Sequence, residues 1–398
     1  MTLIDIYSSP SSAEGLYEVV ERKGIGHPDT LADALAERMS VAYSRYCRDT
    51  FGAILHHNLD KVYLRGGHAR TGLGYHETTE PTLLLIGGRV STSFAGQPID
   101  HRGLFEQTAH EYLADVLPHF DASTWLRIEH MTTDRSRYPT WFHPASIEDL
   151  PEVRRPTASD TVAVTAWWPH TPTERIVLAL ERHLNQEGKG PRHADLGQDI
   201  KVLARRQGHR LDITMGIPVQ SRAVTTVDAY HDVLRALQPQ LHAVAAESAK
   251  SLEVRLRLNT SGDNPYRGKQ QYLLGSGTCL EFGEEGFVGR GNLACGLVPI
   301  HRPKSVEAPY GKNPTYHAGK VYTIFAEQIA RSIYEEARAP ATVTIVAEHS
   351  ANLRAPTHIA VALHGPGDQL LAKKISQRVV EEADHISLAI DDGRIVPR

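Results

Sequence analysis

Short alternating segments followed by long amphipathic ones set the strongest limit on how this chain can fold. The run 252–258 is the clearest case, because Leu and Val alternate with Glu and Arg and so place apolar and charged side chains on opposite faces of a strand. Pairs of such strands followed by a helical stretch recur about three times along the sequence. This order predicts an α+β fold, in which helices pack on one face of each sheet.

The composition narrows the class of protein further. With 398 residues, of which 41% are hydrophobic, the chain can bury the cores of two or three domains. A formal charge of -4 leaves no cationic surplus for a nucleic-acid backbone, and no apolar run approaches the about 20 residues that cross a bilayer. We therefore expect no nucleic-acid and no membrane partner. The first residues lack a secretory signal, which predicts a cytoplasmic location.

The segment Gly24-Ile25-Gly26-His27-Pro28-Asp29, just before a predicted helix, carries the first chemical signal. A Gly-x-Gly turn at a helix start directs backbone N–H groups and the positive end of the helix dipole toward one point, where an anion would bind. Asp29 and Asp33 would share a helical face and bind Mg²⁺, and His27 would donate to a phosphate or departing oxygen. The alternative is an ordinary capped helix with Asp33 as a solvated charge.

A second glycine-rich segment, residues 283–292, contains two glutamates and Arg290. Flexible backbone combined with carboxylates and an arginine suits contacts with a metal ion or a phosphate. Four more cations, suited to a polyphosphate, follow within a short span: Arg302, Lys304, Lys312 and Lys320. The alternative is a solvent-exposed turn.

Several common catalytic signatures are absent from the sequence. The Gly-Lys pairs at 311–312 and 319–320 lack the spacing and the Ser or Thr of a P-loop, and no Gly-x-Gly-x-x-Gly occurs. The three cysteines are widely spaced and none has an activating local context, and no His-Glu-x-x-His is present. P-loop, Rossmann, zinc and covalent chemistry are therefore disfavoured.

Six motifs occur in a fixed order between about residue 20 and about residue 330. They are Glu-Arg-Lys-Gly-Ile-Gly-His-Pro-Asp at 21–29, Leu-His-His-Asn at 55–58, Gly-Gly-His-Ala at 66–69, Gly-Gln-Asp-Ile-Lys-Val at 197–202, Val-Gly-Arg-Gly-Asn at 288–292 and Gly-Lys-Asn-Pro at 311–314. Together they resemble the motifs of the archaeal-type S-adenosylmethionine synthetases (methionine adenosyltransferases), whose length the chain also matches.

The resemblance implies three similar α+β domains around a pseudo-threefold axis, each assembled from separate stretches of the chain. It also implies a homodimer with active sites at the subunit interface. The expected domains are 1–25 with 171–279, 26–133 with 280–319, and 134–170 with 320–398.

The reaction implied by the resemblance is attack of the methionine sulfur on C5′ of ATP. The tripolyphosphate that leaves is then hydrolysed to phosphate and diphosphate, with Mg²⁺ and usually K⁺ bound. A thioether has no proton to remove, so the site must align the reactants and stabilise a highly charged leaving group.

Roles carried over by motif give each site residue an expected partner. His27 would contact the leaving group near the 5′ oxygen, and Asp29, with Asp33 behind it, would hold Mg²⁺. Lys201, Arg290, Lys312 and Lys320 would contact or neutralise the phosphate chain. The expected ATP-binding set is completed by Gly26, Asp199, Gly289 and Asn292.

The sequence departs from the family where the amino-acid acceptor should bind. Glu284 and Phe287 replace an Asp and a Ser, and His130 lies in a segment that replaces Gly-Gln-Gly-Ser. These residues and His68 are the expected acceptor contacts. The tryptophans at 167–168 also depart from the family pattern, with core packing as their ordinary use.

Three functions remain open on this basis. The first is synthesis of S-adenosylmethionine, and the second is a specialised relative that uses another acceptor nucleophile or only cleaves tripolyphosphate from ATP. The third is an inactive nucleotide-binding subunit that regulates a true synthetase. Retention of the phosphate-binding residues argues against the third.

Overall fold

Three main sheets, each covered by two long helices, make up the architecture of this computed structural model. The structure describes residues 2–10, 17–150, 153, 156–185, 193–249, 251–260 and 271–397. Each sheet and its helices enclose a separate buried apolar cluster. The predicted α+β fold is therefore confirmed.

Sheet I has five strands in the spatial order Glu253–Leu258, Arg210–Gly216, Lys201–Gln207, Tyr17–Lys23 and Val298–Pro299. Helices Pro172–Leu184 and Val227–Ala249 cover one of its faces. A capping box starts the first of these helices, with Thr171 and Glu174 exchanging side-chain bonds to each other's backbone N–H. The opposite face of the sheet exposes Leu203 and Lys201, so the alternating pattern leaves one face open.

Sheet II has four strands in the order Glu285–Phe287, His57–Arg65, Thr82–Val90 and Leu126–Thr133. Helices Pro28–Phe51 and His101–Val116 pack on it. The Pro28–Phe51 helix begins with proline, whose missing N–H costs nothing at a helix start, and ends at Gly52 with a φ of 77°.

Sheet III has four strands in the order Leu3–Ser9, His358–His364, Ala341–Ala347 and Val162–Trp168, under helices Ala318–Ala337 and Gln369–Glu382. Shorter elements complete the described part of the chain. They are the strand pairs His68–Gly72 with Tyr75–Glu80, Ser93–Phe94 with Gln97–Pro98 and Val219–Gln220 with Leu273–Leu274, the helices Ala122–Trp125, Pro139–Phe142 and His385–Ile390, and the 3-10 turns Ile147–Asp149, Ser221–Ala223 and Cys279–Glu281.

The sheets divide the chain differently from the predicted boundaries at two points. Residues 1–25 were assigned to one domain, but Leu3–Ser9 pairs in parallel with His358–His364 while Tyr17–Lys23 pairs with Lys201–Gln207. The first strand joins sheet III because Ile4 packs into that sheet's core. Val298–Pro299, assigned to the central domain, pairs with Tyr17–Lys23 of sheet I.

None of the described helices combines the length and the apolar character needed to cross a bilayer.

Candidate active site

The Gly-x-Gly turn lies against the Gly-Gln-Asp-Ile segment 197–200, just before the strand Lys201–Gln207. Gly24 N–H donates to the Ile200 carbonyl at 2.7 Å and Gly26 N–H donates to the Gln198 carbonyl at 3.1 Å. A Cβ on Gly26 would lie 2.5 Å from the Cβ of Gln198, so close backbone approach requires glycine here. The glycine amides are thus bonded within the protein, which differs from the predicted role of Gly26 in binding an anion.

His27 is the N-cap of the Pro28–Phe51 helix. Its Nδ1 accepts the Asp29 N–H at 3.1 Å, which leaves Nε2 to carry the proton of the neutral ring. Burial, reinforced by the nearby Lys23 ammonium, lowers the pKa of His27 to about 4. The ring is therefore a neutral hydrogen-bond donor at neutral pH.

Charged groups of both signs surround this histidine. Lys23 Nζ contacts Asp29 Oδ2 at 2.9 Å and the Arg290 carbonyl at 2.6 Å. Lys201 Nζ pairs with Glu21 at 3.1 Å. The charge of Lys201 lowers the pKa of His27, and the charge of Glu21 raises it. The first and fourth motifs of the sequence thus meet at the end of two paired strands, where Lys23 lies opposite Lys201.

Asp199 lies close to Lys201 of this charged group and is almost fully buried. Its Oδ2 accepts the Cys279 N–H at 3.0 Å. The pKa of Asp199 is raised to about 7, mainly by burial and also by the field of Glu284, while hydrogen bonds from Cys279 and the charge of Lys201 oppose the rise. Lys201 and Glu284 therefore both lie close enough to Asp199 for their charges to act on it.

Acidic residues spaced by four on the Pro28–Phe51 helix anchor loops that come from far along the chain. Asp29 Oδ1 accepts the Phe287 N–H at 3.1 Å, Asp33 Oδ1 accepts the Gly289 N–H at 2.6 Å, and Glu37 Oε2 accepts the Gly311 N–H at 2.9 Å. We call Asp29, Asp33 and Glu37 the anchor row. Its spacing places all three on one helical face, directed toward the glycine-rich segment.

Two members of the predicted site belong to this anchoring system. Asp33 is 1% exposed. A Cβ added to Gly291 would lie 2.1 Å from the second carboxylate oxygen of Asp33, so the loop packs tightly against this side chain. Asp33 therefore has the surroundings of a loop anchor rather than those of a Mg²⁺ ligand. Lys320 is also 1% exposed, and its ammonium bonds both oxygens of Glu37 at 2.9 and 2.8 Å. That pairing directs Lys320 into the protein and away from a phosphate chain.

The remaining predicted phosphate contacts are better placed. Arg290 has an exposed side chain. The loop that carries it requires glycine at position 289, where φ is 88°. Asn292 fixes the start of this site, because its amide bonds both the N–H and the carbonyl of Lys23, at 3.0 and 2.7 Å. The predicted ATP contacts Gly289 and Asn292 thus make structural bonds within the chain.

Lys312 lies at the other end of the anchor row. Its ammonium pairs with Glu307, and its carbonyl accepts the Ser40 hydroxyl at 3.2 Å. Burial lowers the pKa of Lys312 to about 8. This lysine therefore loses its charge at a pH that enzymes commonly experience.

The predicted acceptor residues do not all come together. Glu284 and Phe287 are exposed on the segment beside Asp199 and Asp29, and the Phe287 ring stacks on Tyr63 with 4.3 Å between centroids. His68 forms an isolated bridge with Phe282, two residues from Glu284. His130 instead contacts Glu106 at 2.8 Å, on the helix-covered face of sheet II, because residue 130 shares a face with the partly buried Ile128, which packs against the core of sheet II.

Mg²⁺ prefers oxygen ligands and usually keeps several waters or phosphate oxygens. Among the described residues there is no group of three or more His, Cys, Asp or Glu side chains that could hold a metal ion by itself. Asp29 fits as one ligand, since its carboxylate already contacts one cation, the Lys23 ammonium. K⁺ remains a prediction of the family resemblance.

Sequence reasoning missed Lys23 and Cys279 as site residues. Lys23 contacts Asp29 and the loop of Arg290, and Cys279 contacts Asp199 through its N–H and the Tyr272 hydroxyl, 3.2 Å away, through its sulfur. Lys23 could have been found from its place inside the first motif. No local signal marks Cys279.

A family model for S-adenosylmethionine synthetase (AdoMet synthetase) matches residues 3–390. The S-adenosylmethionine synthases of Haloarcula marismortui and Caldivirga maquilingensis are 35% and 34% identical to this chain, over 84% and 81% of it and 82% and 78% of their own lengths. An uncharacterised protein of Streptococcus pyogenes serotype M3 is 34% identical over 96% of this chain and 94% of its own.

A solved structure agrees with the fold. The structure of an unusual S-adenosylmethionine synthetase from Campylobacter jejuni matches with a TM-score of 0.59 at 14% identity, covering 93% of this chain and 89% of that one. The family match over nearly the whole sequence, together with relatives above 30% identity, shows that the chain belongs to the S-adenosylmethionine synthetase family.

Proposed function

We propose that the protein is an ATP-dependent methionine adenosyltransferase that makes S-adenosylmethionine. The observation that carries this proposal is the neutral His27 ring, which is held by its Nδ1 at a helix start with Nε2 left to donate, between Lys23 and Lys201. A neutral donor beside cations suits an oxygen that gains negative charge as it leaves. Family membership supplies the reaction class.

In the proposed reaction the methionine sulfur forms a bond to C5′ while the C5′–O5′ bond breaks. The electron pair of that bond leaves with tripolyphosphate, and no proton is removed from the nucleophile. The Nε2–H of His27 hydrogen-bonds the departing oxygen, and Asp199 as a carboxylate accepts from the ribose hydroxyls. The donor is fixed before the reaction starts, so its alignment costs nothing in the transition state.

Lys201, Arg290 and Lys312 are the proposed partners of the phosphate chain, which the second step hydrolyses to phosphate and diphosphate. We exclude Lys320 from this set because it is bonded to Glu37. Bound Mg²⁺ would neutralise phosphate charge, with Asp29 as its proposed protein ligand. Lys23, displaced from Asp29 in that case, keeps the Arg290 carbonyl as a partner.

The test is incubation with ATP and Mg²⁺, with and without methionine, followed by mass spectrometry of all adenosyl products. S-adenosylmethionine formed only with methionine supports the proposal. Tripolyphosphate release without a methionine adduct would support the specialised relative, and ATP binding without turnover would support the regulatory subunit.

The pH dependence of kcat/KM for ATP should have two limbs. It should rise as Asp199 ionises near pH 7 and fall as Lys312 loses its charge near pH 8, because kcat/KM reports the groups of the free enzyme. Lys312→Arg stays charged and should move the falling limb to higher pH. Lys373→Arg, the same change at an exposed site, is the control, and an identical shift in both variants would contradict the assignment.

A second candidate function is transfer to an acceptor other than unmodified methionine. It is favoured by the exposed ring of Phe287, which stacks on Tyr63 where the family has a serine, and by the longer Glu284 near Asp199. One lost or displaced contact to an ammonium or carboxylate shifts substrate choice by about 1–3 kcal/mol. We therefore propose that methionine is a poorer acceptor here than in a typical synthetase.

Changing Glu284 to Asp and Phe287 to Ser together should raise kcat/KM for methionine about tenfold, measured at saturating ATP. The earlier candidate His130 is omitted from this test, since it faces the helices of sheet II, and His130→Gln serves as the matched control. If the double variant used methionine less well than wild type, synthesis of S-adenosylmethionine from methionine would be the better-supported function.

We also propose a homodimer whose interface includes the open face of sheet I. Leu203, 43% exposed, lies on that face two residues from Lys201. Leu203→Asp should weaken the dimer by about 100-fold, because burying an unpaired carboxylate costs several kcal/mol. Sedimentation velocity measures this, with Leu370→Asp, at an exposed position of the helix Gln369–Glu382, as the control. A fully dimeric L203D at low concentration would place the interface elsewhere.

A further inference from the structure

A cavity of about 470 Å³ lies between sheets I and III, away from the open face of sheet I. Its walls come from the strand Val162–Trp168, the helices Pro172–Leu184 and Ala318–Ala337, and the loops 289–298 and 304–310. Residues 394, 396 and 397 close one side. This volume is within the range of small-molecule sites, which is about 300–1,000 Å³.

The cavity is separate from the candidate active site. Neither His27 nor Lys201 is among the described residues that line it. The two sites meet at the loop 289–292, where Gly289, Gly291 and Asn292 line the cavity while Arg290 does not, and at Glu307, which lines the cavity and pairs with Lys312. The opposite side of that loop contacts Asp33 of the anchor row.

One wall of the cavity carries an aromatic ring. Trp168 lines it, and the guanidinium of Arg331 lies 4.4 Å from the centroid of the Trp168 ring. Stacked aromatic and guanidinium planes favour a planar group laid against them. The tryptophans thus contribute to core packing and to a cavity wall at the same time.

The charged groups of the cavity favour an anion. Four cationic and two acidic side chains line it: Arg182, Lys304, Arg331, Arg394, Glu307 and Glu327. Glu307 pairs with Lys312, and Glu327 is shared between Arg331 at 3.0 Å and Arg394 at 3.6 Å. The Nε of Arg331 is buried and has no hydrogen-bond partner among the described residues. Cationic side chains therefore outnumber acidic ones around the cavity.

We propose that this cavity is a second ligand site, which binds a small organic anion with a flat apolar body, such as an aromatic carboxylate. The planar body would lie on the Trp168 wall, and the carboxylate would accept from Arg331 and Arg394. The proposal does not depend on the proposed adenosyl transfer, since it concerns residues outside that site.

Equilibrium dialysis of the full chain against 2-naphthoate tests the site, with the neutral 2-naphthamide as the comparison ligand. We expect one naphthoate per chain and about tenfold weaker binding of the amide, because a charge-assisted bond is lost. Arg331→Met should weaken naphthoate binding about tenfold, whereas Arg378→Met, which removes an exposed arginine paired with Glu336, should not. Equal binding of both ligands, no binding, or equal effects of both variants would overturn the proposal.

Cysteine alkylation of the wild-type protein provides a test that needs no variant. Cys295 lines the cavity, and Cys279 contacts Asp199 in the candidate active site. With iodoacetamide at alkaline pH, 2-naphthoate should slow the labelling of Cys295 and not of Cys279, as read by peptide mass spectrometry. Protection of Cys279 by naphthoate, or of Cys295 by ATP, would show that the cavity is not a separate site.

Discussion

Replacing His27 with alanine is expected to lower the rate of adenosyl transfer about 100-fold or more, with little change in ATP binding. The hydrogen bond from Nε2 strengthens only as the 5′ oxygen gains charge, so its loss raises the barrier and not the ground state. Single-turnover rates and ATP dissociation constants measure the two effects separately. The same change also removes the N-cap bond to Asp29, at a stability cost of about 1 kcal/mol.

His27→Asn separates catalysis from capping. Asparagine is a good N-cap, so this variant should keep the thermal stability of the wild type and still lose most of the transfer rate. If H27N and H27A were both within threefold of wild-type turnover, His27 would not contact the leaving group. Recovery of activity by asparagine alone would make His27 a structural cap only.

Replacing Lys320 with methionine should lower the free energy of unfolding by about 3–5 kcal/mol, because Glu37 would be left buried without its cation. The double change with Glu37→Met removes both charges and should recover most of that loss. Denaturant unfolding followed by circular dichroism measures the difference, with Lys373→Met as the surface control. If K320M were as stable as wild type and had a raised KM for ATP, Lys320 would contact the phosphate chain after all.

The fold was largely predictable because its strands alternate clearly. Segment 252–258 was predicted as a strand with one wet face, and Glu253–Leu258 is an edge strand of sheet I with Leu256 buried and the charged residues exposed. The assignment of Leu3–Ser9 failed because its partner, His358–His364, is more than 350 residues away. No local pattern indicates which of three similar sheets a single strand joins.

The site was predicted at the level of motifs and less well at the level of atoms. The motifs around His27 and Asp199 do meet, and both were expected to contact ATP because of the family resemblance. The sequence predicted that Asp33 binds Mg²⁺ and that Lys320 contacts the phosphate chain, because a sequence shows the charge of a residue and not its burial. His130 was assigned to the acceptor from its motif, although alternation along Leu126–Thr133 places it with Ile128 on the covered face.

The pairing of the first strand with one near the other end of the chain has a consequence for synthesis on the ribosome. Leu3–Ser9 emerges about 350 residues before its partner strand His358–His364. Sheet I is likewise completed only by the strand Val298–Pro299, and sheet II only by Glu285–Phe287. At about 5–20 residues per second, the first strand spends tens of seconds with an unpaired edge. The nascent chain is therefore exposed to misassociation for most of its synthesis, and chaperones that cover strand edges would act before the domains exist.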